Sequence, residues 1–185
     1  MLPTSQDTPT TSMEHLRPPE PIDGRALRTA CGYFATGVTV ITSGDGVEDA
    51  GTTVNSFTSV SLDPPLVLVC LHEKSRLLPV VRDARGFVVN FLTKRQESVA
   101  WAFSGRQTAR LDEIPHHRSV QGLPVLSEAL AHLECRLSAE YDGGDHSILI
   151  GEVVGLGTPT AEENPLIFFQ GAMRELDESP AGRRG

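Results

Sequence analysis

Residues 51 to 71 read "GTTVNSFTSVSLDPPLVLVCL". Between Thr52 and Ser61 the stretch carries six hydroxyl side chains and one amide, interleaved with Val54, Phe57 and Val60, before two prolines stop it. Thr, Val and Phe suit a strand, so the row reads as one strand. The run from Leu66 to Leu71 is continuously apolar, as expected of a strand buried on both faces. The hydroxyl row has two readings. It is either the solvent-facing side of a strand or a set of donors and acceptors aimed at a buried polar ligand. No charged residue falls between Thr52 and Leu62, where an ordinary exposed strand face would carry some.

Upstream, Asp23 can cap a helix whose Leu27, Ala30, Cys31 and Phe34 share a face, with Gly37 as its stop. "VTVIT" then forms a strand and "SGDG" turns the chain. Downstream, a short helix is expected over Ser75 to Val81 and a strand over "FVVNFL". Thr93 and Gln96 make a capping box for a helix through Phe103, and residues 104 to 128 read as irregular. From Ala131 to Tyr141 apolar and polar residues alternate strictly, with Ala131, Leu133, Cys135, Leu137, Ala139 and Tyr141 on the buried side. "DGGD" turns this strand back into "HSILIGEVVGLG", and "PLIFFQGAMREL" supplies a last strand. Six or seven mostly antiparallel strands with a few helices point to a mainly β fold closed into a barrel.

The sequence holds 185 residues, 39% of them hydrophobic, enough for one domain with a core. Residues 1 to 21 contain five prolines and no apolar periodicity, so they read as a flexible arm, with a similar tail over 177 to 185. The folded unit is then residues 22 to 176. A net charge of −8 argues against nucleic acid or anionic lipid as a partner. No apolar run approaches the roughly 20 residues of a membrane span, and no secretory pattern opens the chain, so a cytoplasmic protein is expected. Cys31, Cys70 and Cys135 are scattered through apolar surroundings and read as small buried hydrophobes, neither disulfide-linked nor metal-binding. The adjacent His116 and His117 read as solvated loop residues. No metal site is expected. A GxGxxG turn, a P-loop lysine and a GxSxG elbow are all missing.

Five segments in order carry a resemblance: "FATGVTVIT", the row through "LVLVCL", "FVVNFLTKRQESVAWAFSG", "GLPVLSEALAHLECRLSAEYDGGDHSILIGEV" and "PLIFFQG". Together they resemble the flavin reductase family, which has the FMN-binding split barrel, an antiparallel split β-barrel. Its members include the reductase half of two-component flavin-dependent monooxygenases. The resemblance implies an NAD(P)H:flavin oxidoreductase that reduces FMN or FAD with NADH or NADPH. It also implies a homodimer that passes reduced flavin to a separate monooxygenase. It places Thr53, Val54, Asn55, Ser56 and Ser59 around the flavin. Ser75, Arg76, Asn90, Lys94 and Gln96 fall toward the ribityl and phosphate end, the last two at a helix N-terminus suited to anions. His146, in "GDH", falls on the nicotinamide side as the catalytic candidate, with Thr36, Gly37 and Phe168 beside it. Leu111 stands where similar proteins often have an aromatic residue. Two rival readings are a split-barrel oxidase that retains its FMN and a flavin-binding module without turnover.

Because residues 1 to 21 lack any core-forming pattern, their deletion should leave the melting temperature and flavin affinity nearly unchanged. A drop of several degrees in a melting curve would mean that the arm packs on the folded unit.

Overall fold

The computed structural model describes residues 21–106, 110–158 and 163–176. The expected tail and all of the expected arm except Pro21 lie outside them. In chain order the elements are α1 (Gly24–Cys31), β1 (Thr36–Gly37), β2 (Thr39–Ser43), β3 (Ala50–Val54), β4 (Thr58–Leu62), β5 (Pro65–His72), α2 (Leu77–Ala84) and β6 (Gly86–Phe91). A 3-10 turn (Lys94–Gln96) leads into α3 (Glu97–Trp101), followed by β7 (His116–Arg118), β8 (Pro124–Leu126), β9 (Ala131–Asp142), β10 (His146–Gly157), β11 (Ile167–Phe169) and β12 (Ala172–Arg174).

The hydroxyl row is two strands, not one. Seven strands form one antiparallel sheet in the order β3-β2-β6-β9-β10-β5-β4, so the halves of the row lie at its opposite edges. Only Asn55, Ser56 and Phe57 connect them. At about 4.8 Å per strand, the edges of a flat sheet of this order would stand about 29 Å apart. The connection reaches about 14 Å at most, so the sheet has to curl until its edges meet. Ser56 closes the gap. Its Oγ accepts from the Cys70 N–H and donates to the Cys70 carbonyl, both at 3.0 Å. The Thr58–Leu68 register continues through these two residues, with a side chain standing in for the backbone ladder.

The barrel interior holds Ile41, Val67, Val69, Leu71, Phe87, Val89, Cys135, Leu137 and Leu149, and α2 plugs it with Leu77, Leu78 and Val81. Only one face of β5 is therefore buried, since Leu66, Leu68 and Cys70 point outward and are half-buried. A second cluster, including Val38, Val40, Ala100, Phe103, Leu111 and Leu126, lies outside the barrel. Phe168 packs on it from the three-stranded sheet β1-β11-β12.

Several sequence expectations shift. The first helix ends at Cys31 with Gly32 as its cap, Asp23 makes no side-chain cap bond, and none of its residues is buried. The second starts at Leu77, and the third is a 3-10 turn, one short α-helix and a π-helical segment (Ala102–Arg106) that carries it past Phe103. The last strand is a hairpin, β11–β12. Residues 104 to 128 contain the β7–β8 hairpin, which covers the polar side of β9. Glu134 is consequently buried, accepting from the Ser119 hydroxyl and, at 3.1 Å, from the Gln121 N–H. Among the cysteines only Cys135 is buried, and burial pushes its thiol up to about 12. Cys31 is exposed and Cys70 half-buried. Among the described residues no helix is long and apolar enough to cross a membrane, and no cluster of His, Cys, Asp and Glu could hold a metal ion.

Asn90 belongs to this framework. It is fully buried, its Nδ2 donates to the Val40 carbonyl and Thr42 Oγ1 at 3.0 Å each, and its Oδ1 accepts from the Leu126 N–H at 2.9 Å. Asn90→Ala should cost at least about 2 kcal/mol in denaturant unfolding, because it leaves buried backbone groups unpaired. The flavin Kd of the folded fraction should hold. Weaker flavin binding at unchanged stability would return Asn90 to the site.

Candidate active site

Two hollows share β3 as a wall. The smaller, about 450 Å³, is lined by Thr53, Val54, Asn55, Ser56, Cys70, Gly143, His146 and Ile148. It joins the middle of the hydroxyl row to the "GDH" histidine, some ninety residues away in sequence. The larger, about 610 Å³, takes in Ala50, Gly51 and Thr52 from the same strand. Lys74, Ser75 and Arg76, from the loop between β5 and α2, and Phe103 and Leu111 also line it. Leu111 is buried, which fits an aliphatic side chain at that position.

The turn before β10 sets His146. Gly144 has φ +81°, a conformation that favours glycine, and its N–H donates to Asp142 Oδ1 at 2.7 Å. The Gly143 N–H donates to the His146 carbonyl at 2.8 Å. His146 is partly buried with its Nδ1 2.6 Å from Asp145 Oδ1, and this hydrogen bond holds the Asp145 carboxyl below its usual range.

Not every hydroxyl is free for a ligand. Thr53 Oγ1 donates to the Ala100 carbonyl at 2.7 Å, and Ser56 Oγ is committed to Cys70. Ser75 Oγ accepts from the Leu77 N–H at 3.3 Å, which leaves its proton to donate elsewhere. Of the charged residues lining the larger hollow, Arg110 pairs with Asp112, and Asp49 pairs with Arg118 from outside the lining. Lys74 and Arg76 have no anionic partner among the described residues.

The remaining candidates stand apart. Ser59 is exposed on β4, opposite Val67. Gln96 is buried in the capping box, its Oε1 accepting from the Thr93 N–H and its Nε2 donating to the Ser127 carbonyl. The Lys94 N–H goes to the Asn164 carbonyl and the Gln96 N–H to the Thr93 carbonyl, so the helix N-terminus offers few free donors to an anion. Lys94 Nζ lies 3.6 Å from Glu175. Thr36 and Gly37 pair with Phe168 and Ile167 in the separate small sheet, where Thr36 Oγ1 is buried without a hydrogen-bond partner among the described residues. Sequence reading alone does not single out Lys74, Cys70, Gly143 and Ile148. The first adjoins "SR" in "EKSR", whereas nothing in the pattern marks the other three.

Comparison with known proteins places this geometry. The pattern of the flavin reductase like domain matches residues 31–177. The reductase subunit HsaB of a flavin-dependent monooxygenase from Rhodococcus jostii is 40% identical over 152 residues, covering 82% of this chain and 77% of that protein. The NADH-dependent FMN reductase SmoA of Agrobacterium fabrum is 39% identical over 159 residues, covering 86% and 90%. Among solved structures, an NADH:FAD oxidoreductase of Streptomyces globisporus in complex with NAD and FAD fragments superposes with a TM-score of 0.79. It is 36% identical, and the match covers 88% of this chain and 100% of that one. The barrel closed at Ser56, with its hollows along β3, is thus a flavin-reductase split barrel, and the chain belongs to the flavin reductase like family.

Proposed function

We propose that this protein oxidises NADH to reduce FMN or FAD and releases the reduced flavin to a separate monooxygenase. The observation that carries this reading is the convergence of residues 53 to 56 with His146 in one hollow, beside a second hollow lined by Lys74 and Arg76, which have no anionic partner among the described residues. Both volumes lie within the range of about 300 to 1,000 Å³ usual for small-molecule sites. The donor set suits a flavin phosphate ester. Lys74 and Arg76 face the anionic end, while Thr52, Ser75 and Asn55 offer hydroxyl and amide groups to the ribityl chain and the polar edge of the ring. When bound, the flavin supplies the hydride acceptor, and the protein needs no nucleophile of its own. Its residues bind, orient and exclude water, with His146 on the nicotinamide side. The NADH named for one relative and the monooxygenase named for another support the choice of donor and recipient, and a cytoplasmic location is part of this reading.

The protein acts as a homodimer in this reading. α1 buries none of its residues within the chain, and Ile22, Leu27, Tyr33 and Phe34 are all exposed. On β4, Val60 is 48% and Leu62 90% exposed. Apolar surface on this scale is the kind that a second copy covers. Light scattering should give twice the chain mass, and Leu27→Glu combined with Phe34→Glu should shift it to the monomer. A parent protein that is monomeric at micromolar concentration would rule the dimer out.

NADH consumption should rise with added free flavin and saturate, as neither a retained-flavin oxidase nor a binding module would show. Arg76→Ala should weaken FMN binding about tenfold or more, as expected for a lost charge-assisted contact, and leave riboflavin binding unchanged. Equal losses for both ligands would move the phosphate away from Arg76.

A further inference from the structure

His72 and His146 stand directly opposite each other in the β5–β10 pairing, and their rings meet edge to face with centroids 5.1 Å apart. Opposed residues of an antiparallel pair share a face, so His72 lies on the side from which His146 lines the smaller hollow. Each ring's neighbour decides its tautomer. The Asp145 carboxylate can only accept, so His146 Nδ1 carries a proton and Nε2 of the neutral ring is an acceptor. The Lys74 N–H donates to His72 Nδ1 at 2.9 Å, so the neutral His72 ring carries its proton on Nε2 as a donor. His146 lines the hollow and His72, exposed, stands next to it, so the pair presents one acceptor and one donor on adjacent rings. The flanking residues are tied together, by the backbone bond from the Glu73 N–H to the Asp145 carbonyl at 3.0 Å and by the side-chain bond from the Ser147 hydroxyl to Glu73 Oε1 at 2.6 Å.

We propose that His72 is a second dinucleotide-binding residue, its Nε2–H donating to the carboxamide oxygen of nicotinamide while His146 Nε2 accepts from the carboxamide nitrogen. A primary carboxamide offers an acceptor and a donor side by side, the complement of this histidine pair. The inference rests on the placement of nicotinamide at His146 in the proposed function. Oxidised and reduced nicotinamide carry the same carboxamide, so the contact binds ground state and transition state alike and acts on KM, not kcat.

The test compares His72→Asn and His72→Gln with the parent. The Asn Oδ1 can still accept from the Lys74 N–H but leaves nothing at the Nε2 position, whereas the longer Gln carries an amide N–H outward. With Asn, the calorimetric Kd for NAD+ on the flavin-loaded protein and the KM for NADH should both rise about tenfold, the loss of one hydrogen bond. The kcat, flavin Kd and melting temperature should stay near the parent's, and Gln should recover most of the dinucleotide affinity. An unchanged Kd for NAD+ in the folded Asn variant overturns the proposal, and so does a Gln variant no better than Asn. His146→Ala separates the two levels of the argument. If it too leaves the Kd for NAD+ unchanged, the placement of nicotinamide itself has failed. If it weakens NAD+ binding while His72→Asn does not, only the role of His72 has failed.

Discussion

The Ser56 hydroxyl, making both a donor and an acceptor bond to the backbone of Cys70, is the contact on which the remaining architecture depends. Strands at opposite edges of a seven-stranded sheet are joined by three residues, and that short reach imposes closure. A continuous ladder through the corner would have made a complete barrel. A side chain at the corner instead leaves the seam locally open, with Asn55 exposed on it and Phe57 packed edge to face on Phe91 at 4.9 Å. The smaller hollow opens along this seam, with Asn55, Ser56 and Cys70 in its lining.

Closure also explains how a row of similar hydroxyls divides its labour. Thr53 and Ser56 spend theirs on Ala100 and Cys70, fixing β3 to α3 and β5. Thr52 lines the larger hollow, and its hydroxyl makes no such bond among the described residues. An uncharged row suits this mixture, because each hydroxyl can donate and accept without the desolvation cost of a buried charge. Charge is concentrated one loop away, at Lys74 and Arg76, where an anion would meet it at the rim of the larger hollow.

Much of this was legible in the sequence, because strict alternation, continuous apolar runs and glycine turns act locally. Strands β2, β5, β6, β9 and β10 and the Thr93–Gln96 capping box follow from such patterns. What depends on distant partners was not legible. The break at Asn55 exists because of Cys70, the burial of Glu134 because of the β7–β8 hairpin, and the one-sided burial of β5 because of barrel curvature. In the site, residues 53 to 56 line one hollow with His146, and Ser75 lines the other with Arg76. Asn90 and Gln96 looked like ligand groups because a buried amide that serves backbone groups has the same sequence signature as one that serves a ligand.

The central claim is that flavin and nicotinamide meet along β3, between the Ser56 seam and His146. A crystal structure of the protein with FMN and NAD+ tests it most directly. The expected result is a flavin ring against residues 53 to 56, its phosphate at hydrogen-bond distance from Arg76 or Lys74, and nicotinamide beside His146. A phosphate bound instead at Lys94 and the 3-10 turn, or a flavin ring against the β1-β11-β12 sheet, would contradict the account.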